Sequence, residues 1–173
     1  MMNRQEVESS KKNLAKANLM KAELEGAHLA EGNFSQANLR KANLKNANLF
    51  KVNFSGAALS IADLTGADLT ESNLRKAELI GTNLTQACLV RADLTQVSLS
   101  KAILDAANLK GADLRGVNNL TCQQIRKSMV DRQTLFPDYL DIKWESEELW
   151  ERDIKSFLMW LGQRYETFLQ RML

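Results

Sequence analysis

Aromatic residues are scarce in this chain, and their scarcity limits the kind of core that it can build. Phe, Trp and Tyr together make up 6 % of the 173 residues, although apolar residues as a whole reach 45 %. Leu and Ala supply most of that apolar content. A core of large, irregularly packed rings is therefore excluded, and we expect a thin, regular core within a single domain.

Histidine and cysteine are also rare, which restricts the available chemistry. The single histidine, His28, has no Ser, Cys or Asp placed with it in a catalytic pattern, so we interpret it as a solvated surface residue. Cys88 and Cys122 form no metal-binding motif, and we expect two free thiols in a reducing compartment rather than a disulfide. The sequence predicts no cofactor, no metal site and no catalytic residue.

Long apolar runs are missing as well. Residues 1–8 contain no apolar run typical of a signal peptide, and no stretch approaches the length that spans a bilayer. The net charge of +2 indicates neither a nucleic-acid-binding protein nor a strongly acidic one. We therefore expect a cytoplasmic protein that binds no nucleic acid and does not span a membrane.

What the chain does contain is a repeat of five residues. From Leu14 to Leu114 every fifth residue is Leu, except that Phe occupies positions 34 and 54. Ala usually lies two residues before this central Leu or Phe, and Asn or Asp most often lies one residue before it. The predicted core residues include Leu14, Phe34, Leu39, Phe54, Leu69, Leu94 and Leu114.

A period of five fits neither a helix nor a continuous strand. Because strand side chains alternate, the central residue and the residue two before it point to the same side. The next inward residue lies three positions after the central one, and a straight strand would point it outward. The backbone must therefore turn between these two residues, so each repeat is a very short strand followed by a corner. Six of the eight glycines occupy the second corner position, where a tight turn favours positive φ. Ser72 and Thr82 replace the inward Ala, and we expect a slight distortion of their coils.

Periodicity alone leaves the number of sides open, but the tandem pattern Ala-(Asn/Asp)-Leu-X-X, as at residues 37–39 and 67–69, resembles the pentapeptide-repeat family. The resemblance implies a right-handed quadrilateral parallel β-helix of about five coils over residues 11–118. It also implies that the central residue and the preceding Ala point inward, whereas the Asn or Asp points outward. Phe34 and Phe54 then lie on one face in adjacent coils, where we expect their rings to stack.

The residues on both sides of the repeat have different patterns. We expect residues 1–10 to form an N-terminal cap or tail, and residues 119–143 to form a short helix and a capping loop. Thr121 and Gln124 form a capping-box pattern that predicts a helix over about 122–130, placed to cover the last coil. The predicted fold class is mainly β with α structure at the C-terminal end.

Residues 144–173 have the pattern of a long amphipathic helix. Apolar residues recur there at spacings of three and four, and all three tryptophans of the chain lie in this segment. We expect one face to be buried as a cap on the chain's own coils or in a homodimer, with another protein or a membrane surface as further alternatives. Its candidate contact residues are Trp150, Phe157, Trp160 and Leu161.

Outward apolar residues interrupt the polar surface of the repeat. Three of them fall on one face and form a candidate contact strip, and a fourth, Phe50, falls on the face two corners further on. The candidate interaction residues of the repeat are Met20, Phe50, Ile61 and Ile80.

Paired carboxylates are a second kind of candidate site. Asp93 and Asp113 share a face in adjacent coils, where two carboxylates could hold a cation or act as an acid and a base. We interpret them instead as part of the ordinary Asn/Asp ladder, relieved by Arg91 and Arg115 nearby. Residues 11–118 contain 14 basic and 10 acidic residues, which we interpret as a solvated surface.

These patterns favour a non-enzymatic scaffold that binds a protein whose identity the sequence does not give. One alternative, which follows from the family resemblance, is a mimic of duplex DNA that inhibits DNA gyrase. That mimicry needs an acidic surface, whereas the repeat is net basic. The other alternative is a hydrolase or lyase, which needs acidic and basic residues clustered over several coils, beyond the single pair Asp93 and Asp113.

Overall fold

The computed structural model describes residues 2–140 of the chain. Its helices are α1 (Arg4–Ser10), a 3₁₀ helix (Lys11–Asn13) and α2 (Cys122–Arg126). The long amphipathic helix predicted for 144–173 lies outside the described residues, and so do its candidate contacts at positions 150, 157, 160 and 161. Within the described residues, no helix is both long enough and apolar enough to cross a membrane.

The repeat forms a coil with four sides and 20 residues per turn. Asn18 pairs with Asn38 in a parallel bridge, and the same 20-residue offset continues to Asn118. Bridges follow one another every five residues along the chain, so each turn has four sides. We call them side A (bridges at 18 to 118), side B (23 to 103), side C (28 to 108, then 129) and side D (33 to 113, then 135).

Backbone hydrogen bonds join each coil to the coils below and above it. Asn38 N–H donates to the carbonyl oxygen of Ala17 at 2.9 Å, and Leu39 N–H donates to that of Ala58 at 2.7 Å. This pattern repeats on every side through most of the coil. A strand of one or two residues is therefore stable here because neighbouring turns satisfy its polar groups.

The two inward residues of each repeat fill the interior. The central residues at 39, 69 and 94 are fully buried, and Leu14, in the first layer, is 4 % exposed. The inward Ala residues of the coils are buried beside them, for example Ala37 and Ala67 at 0 % exposure. The buried set also includes Phe34, Phe54 and Leu114.

Phe34 and Phe54 lie in contact on side D, but their rings do not form a flat stack. Their centroids are 5.4 Å apart and their planes are inclined by 45°. Tilting is favourable because it brings the positive edge of one ring towards the negative face of the other. Gly32 makes room for the first ring, since a Cβ there would lie 2.5 Å from Phe34 Cε2 and 2.8 Å from the carbonyl oxygen of Leu29.

The two inward hydroxyl residues differ in their hydrogen bonding. Thr82 Oγ1 donates to the buried carbonyl oxygen of Leu59 at 2.8 Å. Ser72 is 1 % exposed, and its hydroxyl has no hydrogen-bond partner within the described residues. The bridges at Asn73 and Asn83, directly after these residues, keep the 20-residue offset, so neither hydroxyl interrupts the coil.

Every corner of the coil uses the left-handed backbone conformation. The six corner glycines have φ between 62° and 67°, and sixteen other residues also have positive φ. All of these sixteen except Asn119 occupy the second corner position of a repeat. The coil geometry therefore imposes this conformation on Lys, Gln, Glu and Arg, which adopt it at a cost that glycine avoids.

The Asn or Asp before each central residue stabilises the adjacent corner. Asn43 Oδ1 accepts a hydrogen bond from Lys45 N–H at 3.3 Å, and Asp63 Oδ1 accepts one from Thr65 N–H at 3.0 Å. The same bond, from the N–H two residues further on, recurs from Asn18 to Asp113. This Asx turn explains the residue preference by local structure, without any partner.

Helix α1 closes the N-terminal end of the coil. Val7 is fully buried against the first layer, and the Arg4 guanidinium donates to two backbone carbonyl groups of the first coil. The Glu8 carboxylate accepts the backbone N–H of His28 at 2.8 Å. These bonds satisfy edge groups that an uncapped solenoid would leave open.

Helix α2 begins as the sequence predicts but ends earlier. The capping box of Thr121 and Gln124 is confirmed, since each side chain bonds the backbone N–H of the other residue. The Gln124 side-chain amide also donates to the carbonyl oxygens of residues 99 and 102, which belong to the last coil. The helix has five residues and ends at Arg126 rather than near 130.

The helix ends early because the chain returns to the coil. Met129 bridges to Asn108 on side C, and Leu135 bridges to Asp113 on side D. Met129 N–H donates to Ala107 O at 2.8 Å, so the open edge of the last coil supplies a partner that a longer helix would not use. Residues 127–135 therefore extend two sides by one further layer, in addition to covering the end.

Candidate interaction surface

The corner that follows side A carries the most unusual surface of the described residues. We call it the A–B edge. Four of its ten residues are basic and none is acidic, and three of the remaining six are large apolar residues. The A–B edge consists of Met20, Lys21, Arg40, Lys41, Ser60, Ile61, Ile80, Gly81, Ser100 and Lys101.

Two isoleucines form the centre of the A–B edge. Ile61 is 61 % exposed and Ile80 is 43 % exposed, and the N–H of Ile61 donates to the carbonyl oxygen of Ile80 at 3.0 Å. A Cβ at Gly81 would lie 3.7 Å from Ile61 Cγ1, so the glycine leaves space on that side of Ile61. Met20, 40 % exposed, lies two coils away from Ile61 on the same edge, at about 10 Å.

Ile61 occupies a backbone conformation that its side chain disfavours. Its φ is 62°, and it is the only β-branched residue with positive φ in residues 2–140. A branched side chain in this region costs on the order of 1–3 kcal/mol, and such strain is concentrated at functional sites. The burial of the side chain does not repay the cost, because most of its surface is in solvent.

The four cations on the A–B edge differ in their ion pairing. Arg40 forms an ion pair with Glu78 of the neighbouring side A. The ammonium groups of Lys21, Lys41 and Lys101 form no salt bridge within residues 2–140. The edge therefore offers apolar contact in the middle and unpaired positive charge around it.

Phe50, the fourth predicted apolar candidate, lies apart from the A–B edge. It occupies the diagonally opposite corner, after side C, where it is half-buried. The Lys51 ammonium group lies 4.9 Å from the centroid of its ring, a cation–π contact that partly covers it. The structure therefore brings Ile61 and Ile80 together and separates Phe50 from them.

The sequence did not identify a second group of exposed apolar residues at the C-terminal end of the coil. Each is between 43 % and 46 % exposed. Ile103 replaces Asn or Asp in its repeat, a departure that could have revealed it. The others lie after the repeat, where no periodic signal indicates which side chains point outward. The group consists of Ile103, Met129, Leu135 and Tyr139.

The carboxylates of Asp93 and Asp113 lie in adjacent layers of side D but do not form an acid–base pair. Arg115 donates to both oxygens of Asp113, at 3.0 Å and 2.7 Å. This hydrogen bonding lowers the pKa of the Asp113 carboxyl, so it stays ionised and is a poor general acid. Asp93 Oδ1 accepts the backbone N–H of Thr95, as the ladder residues do elsewhere.

The remaining titratable candidates are His28, Cys88 and Cys122. His28 is exposed, and its backbone N–H is the donor to Glu8. Within residues 2–140, Cys88 and Cys122 form no disulfide bond, and Cys88 Sγ lies 3.2 Å from the hydroxyl of Thr70. Within residues 2–140, no group of three or more His, Cys, Asp or Glu residues is arranged to hold a metal ion.

Comparison with solved structures finds several proteins that are similar to this chain. A pentapeptide repeat protein from the thylakoid lumen of Arabidopsis thaliana is 26 % identical over 68 % of this chain and 77 % of that chain, with a TM-score of 0.47. One from Nostoc PCC 7120 is 26 % identical over 74 % and 93 %, with a TM-score of 0.49. QnrB1, a plasmid-mediated fluoroquinolone resistance protein, is 19 % identical over 70 % and 78 %, with a TM-score of 0.43.

Comparison with curated proteins gives no match. The family model for pentapeptide repeats does match, in eight copies, over residues 17–56, 57–96 and 89–118. These ranges cover the four-sided coil almost from its first bridge to its last regular one. The chain therefore belongs to the pentapeptide repeat family, whose members fold as right-handed quadrilateral β-helices.

Proposed function

We propose that this protein is a non-enzymatic scaffold that binds a protein partner along the A–B edge. The observation that carries the proposal is the exposed pair Ile61 and Ile80, with Ile61 at a strained corner, beside lysines that form no salt bridge within residues 2–140. Exposed apolar groups within a charged rim are typical of protein contact sites.

The edge favours a partner surface that is apolar in its centre and acidic at its rim. From Met20 to Lys101 the edge rises four coils, about 19 Å. This length matches one helix or strand of a partner rather than a broad surface. A nucleic acid is a poorer match, because the edge has no aromatic side chain on which bases could stack.

The alternatives have less support. A mimic of duplex DNA needs an acidic surface, whereas residues 11–118 contain 14 basic and 10 acidic residues. We therefore expect no inhibition when DNA gyrase supercoiling is assayed with and without this protein. A hydrolase or lyase would use the carboxylates of Asp93 and Asp113, but Asp113 already forms an ion pair with Arg115. We therefore expect no substrate turnover that depends on Asp113.

A pull-down with a matched control tests the proposal. The edge variant carries Ile61→Asn and Ile80→Asn, which remove the apolar contacts. Asn tolerates the positive φ of position 61. The control carries Gln86→Asn and Val90→Asn, which occupy the equivalent corner positions of other repeats. We expect partners recovered with the wild type and the control to be lost with the edge variant. Equal recovery with all three proteins would refute the proposal.

The proposal also gives segment 144–173 a role in capping the coil or in forming a homodimer. Its predicted apolar face needs burial, and either arrangement provides it. Light scattering of the full chain and of a 1–143 truncation separates the two. A dimer that becomes a monomer on truncation assigns the segment to dimerisation, whereas a monomer in both cases assigns it to the chain's own coil or to the partner.

A further inference from the structure

We propose that the protein partner binds through an acidic amphipathic helix that lies along side A, between the two corners that border it. The inference rests on the proposed function, because the A–B edge is one of these two corners. It extends the contact to the opposite corner and assigns the partner's contacting element to one class. The charge of both corners, the small residues between them and the width of side A support it.

The second corner that borders side A carries the same charge as the A–B edge. We call it the D–A edge. It contains four basic residues and no acidic one, as the A–B edge does, whereas the two edges that border side C contain four basic and four acidic residues in total. The field of the coil is therefore most positive around side A. The D–A edge consists of residues 15–16, 35–36, 55–56, 75–76, 95–96 and 115–116.

Five of the eight cations on the two edges are lysines that form no salt bridge within residues 2–140. All eight cations are exposed. Arg40 pairs with Glu78, and Glu78 is the only acidic residue among the six outward residues of side A. Arg115 pairs with Asp113 of side D. An acidic helix on side A therefore meets cations on both flanks without first breaking their ion pairs. These lysines are Lys16, Lys21, Lys41, Lys76 and Lys101.

Small residues occupy the middle of side A. Ala58 stands where most repeats have Asn or Asp, it is half-buried, and the corner residues of its coil include Ser55 and Ser60. The ion pair between Arg40 and Glu78 joins the coils below and above Ala58, so no large side chain stands between them. An exposed pair of this kind contributes little stability and can reorganise when a partner binds. A helix can therefore approach side A closely in this middle part.

The width of side A matches one α-helix. About three strand residues separate its two corners, which at about 3.3 Å per residue is roughly 10 Å. A helix with its side chains is about 10–12 Å across, so it reaches both edges, whereas an extended strand of about 5 Å reaches only one. Lys21 and Lys101 are four coils apart, about 19 Å, which about 13 helical residues span. The apolar side chains of such a helix lie against Ile61 and Ile80, and its acidic side chains lie towards the lysines of both edges.

Fluorescence anisotropy with two labelled synthetic peptides tests the inference on the full chain. Each peptide is a helix of about 18 residues, or about 27 Å, with leucines along one face. One peptide carries glutamates on both flanks of that face, and the other carries lysines there. We expect the wild type to bind the acidic peptide, more weakly as salt is added, and not to bind the basic one. Equal binding of both peptides, or binding of neither, would overturn the inference.

A variant of the D–A edge tests the new part of the contact. Lys16→Glu with Lys76→Glu reverses two cations that lie outside the A–B edge. Glu31 and Glu71 already occupy the same corner position with positive φ in other repeats, so the coil accepts this residue there. We expect the dissociation constant of the acidic peptide to rise about tenfold or more, because each change removes an attraction and adds a repulsion.

The matched control reverses two cations on the edge between sides C and D. Arg91→Glu with Lys110→Glu makes the same change in net charge at exposed residues that form no salt bridge in the described part of the chain. We expect this control to keep the wild-type dissociation constant. An equal loss of affinity in the control and in the D–A variant would show that only net charge matters, which contradicts the inference.

The isoleucine variant separates the inference from the proposed function. If Ile61→Asn with Ile80→Asn loses the acidic peptide and the D–A variant keeps it, binding is confined to the A–B edge; the inference fails and the proposed function stands. If the D–A variant loses the peptide and the isoleucine variant keeps it, the exposed isoleucines are not a contact. The proposed function then fails, whereas the charge contact across side A remains.

Competition distinguishes a protein helix from a phosphate-bearing surface. Duplex DNA and vesicles that contain phosphatidylserine are added at the same concentration of negative charge as the acidic peptide. We expect neither to displace the peptide from the wild type, because their outermost phosphates leave Ile61 and Ile80 without an apolar contact. Displacement by either would assign side A to a phosphate-bearing ligand and overturn the inference.

Discussion

Removing the two inward hydroxyls of the repeat, those of Ser72 and Thr82, in turn should change the stability of the coil in opposite directions. The Ser72 hydroxyl is buried without a hydrogen bond, and leaving such a group unsatisfied costs about 1–3 kcal/mol. Ser72→Ala removes the oxygen and restores the residue that most repeats have at this position. We expect the free energy of unfolding to rise by about 1 kcal/mol.

Thr82→Ala is the matched variant, and we expect it to change the free energy of unfolding in the opposite direction. It removes a satisfied hydrogen bond to Leu59, worth about 0.5–1.5 kcal/mol, and a buried methyl group, worth about 1 kcal/mol. We expect the free energy of unfolding to fall by about 1–3 kcal/mol. Urea denaturation measures both changes in the free energy of unfolding. An unchanged slope of this free energy against urea concentration shows that only stability has changed. A destabilised Ser72→Ala variant with an unchanged slope would show that the Ser72 hydroxyl contributes to stability, contrary to this prediction.

Three further predictions concern the core, the Phe pair and the N-terminal cap. Leu69→Ala, in a fully buried central layer, should lower the free energy of unfolding by about 2–5 kcal/mol in the same titration. Gly32→Ala should lower it by about 1–3 kcal/mol, because the new Cβ meets Phe34 Cε2 and a backbone carbonyl, and a smaller side chain at 34 should restore part of the loss. The backbone N–H of His28, together with Arg4, lowers the pKa of the Glu8 carboxyl. The stabilisation by this carboxylate is therefore complete above the unfolded pKa of about 4.3 and is lost as the pH falls through the lower folded value. Stability of the wild type relative to Glu8→Gln should decrease in that acidic range, and a difference that is independent of pH would contradict the assignment.

Much of the coil was predictable because one local geometry is repeated without a slip. The five-residue spacing from Leu14 to Leu114 indicates inward pairs separated by corners, and the corner glycines indicate positive φ. The four sides came from the resemblance to the family rather than from periodicity. The family model confirms that resemblance.

The ends and the surface were less predictable because they depend on contacts distant in sequence. The residues around Met129 and Leu135 have no five-residue period, and they join the coil only because its last edge offers backbone partners. Because the chain pairs with this edge instead of continuing the helix, α2 ends at Arg126. The strain at Ile61 was also hidden, since the pattern alone does not show that every corner has positive φ.

The A–B edge is the surface that we propose binds a protein partner. The most direct test is a titration of the recovered partner against the full-length wild type, the Ile61→Asn, Ile80→Asn variant and the Gln86→Asn, Val90→Asn control. We expect the dissociation constant of the edge variant to rise about tenfold or more, equivalent to about 1.4 kcal/mol, and that of the control to stay at the wild-type value. Equal dissociation constants for all three proteins would show that the A–B edge is not the binding surface.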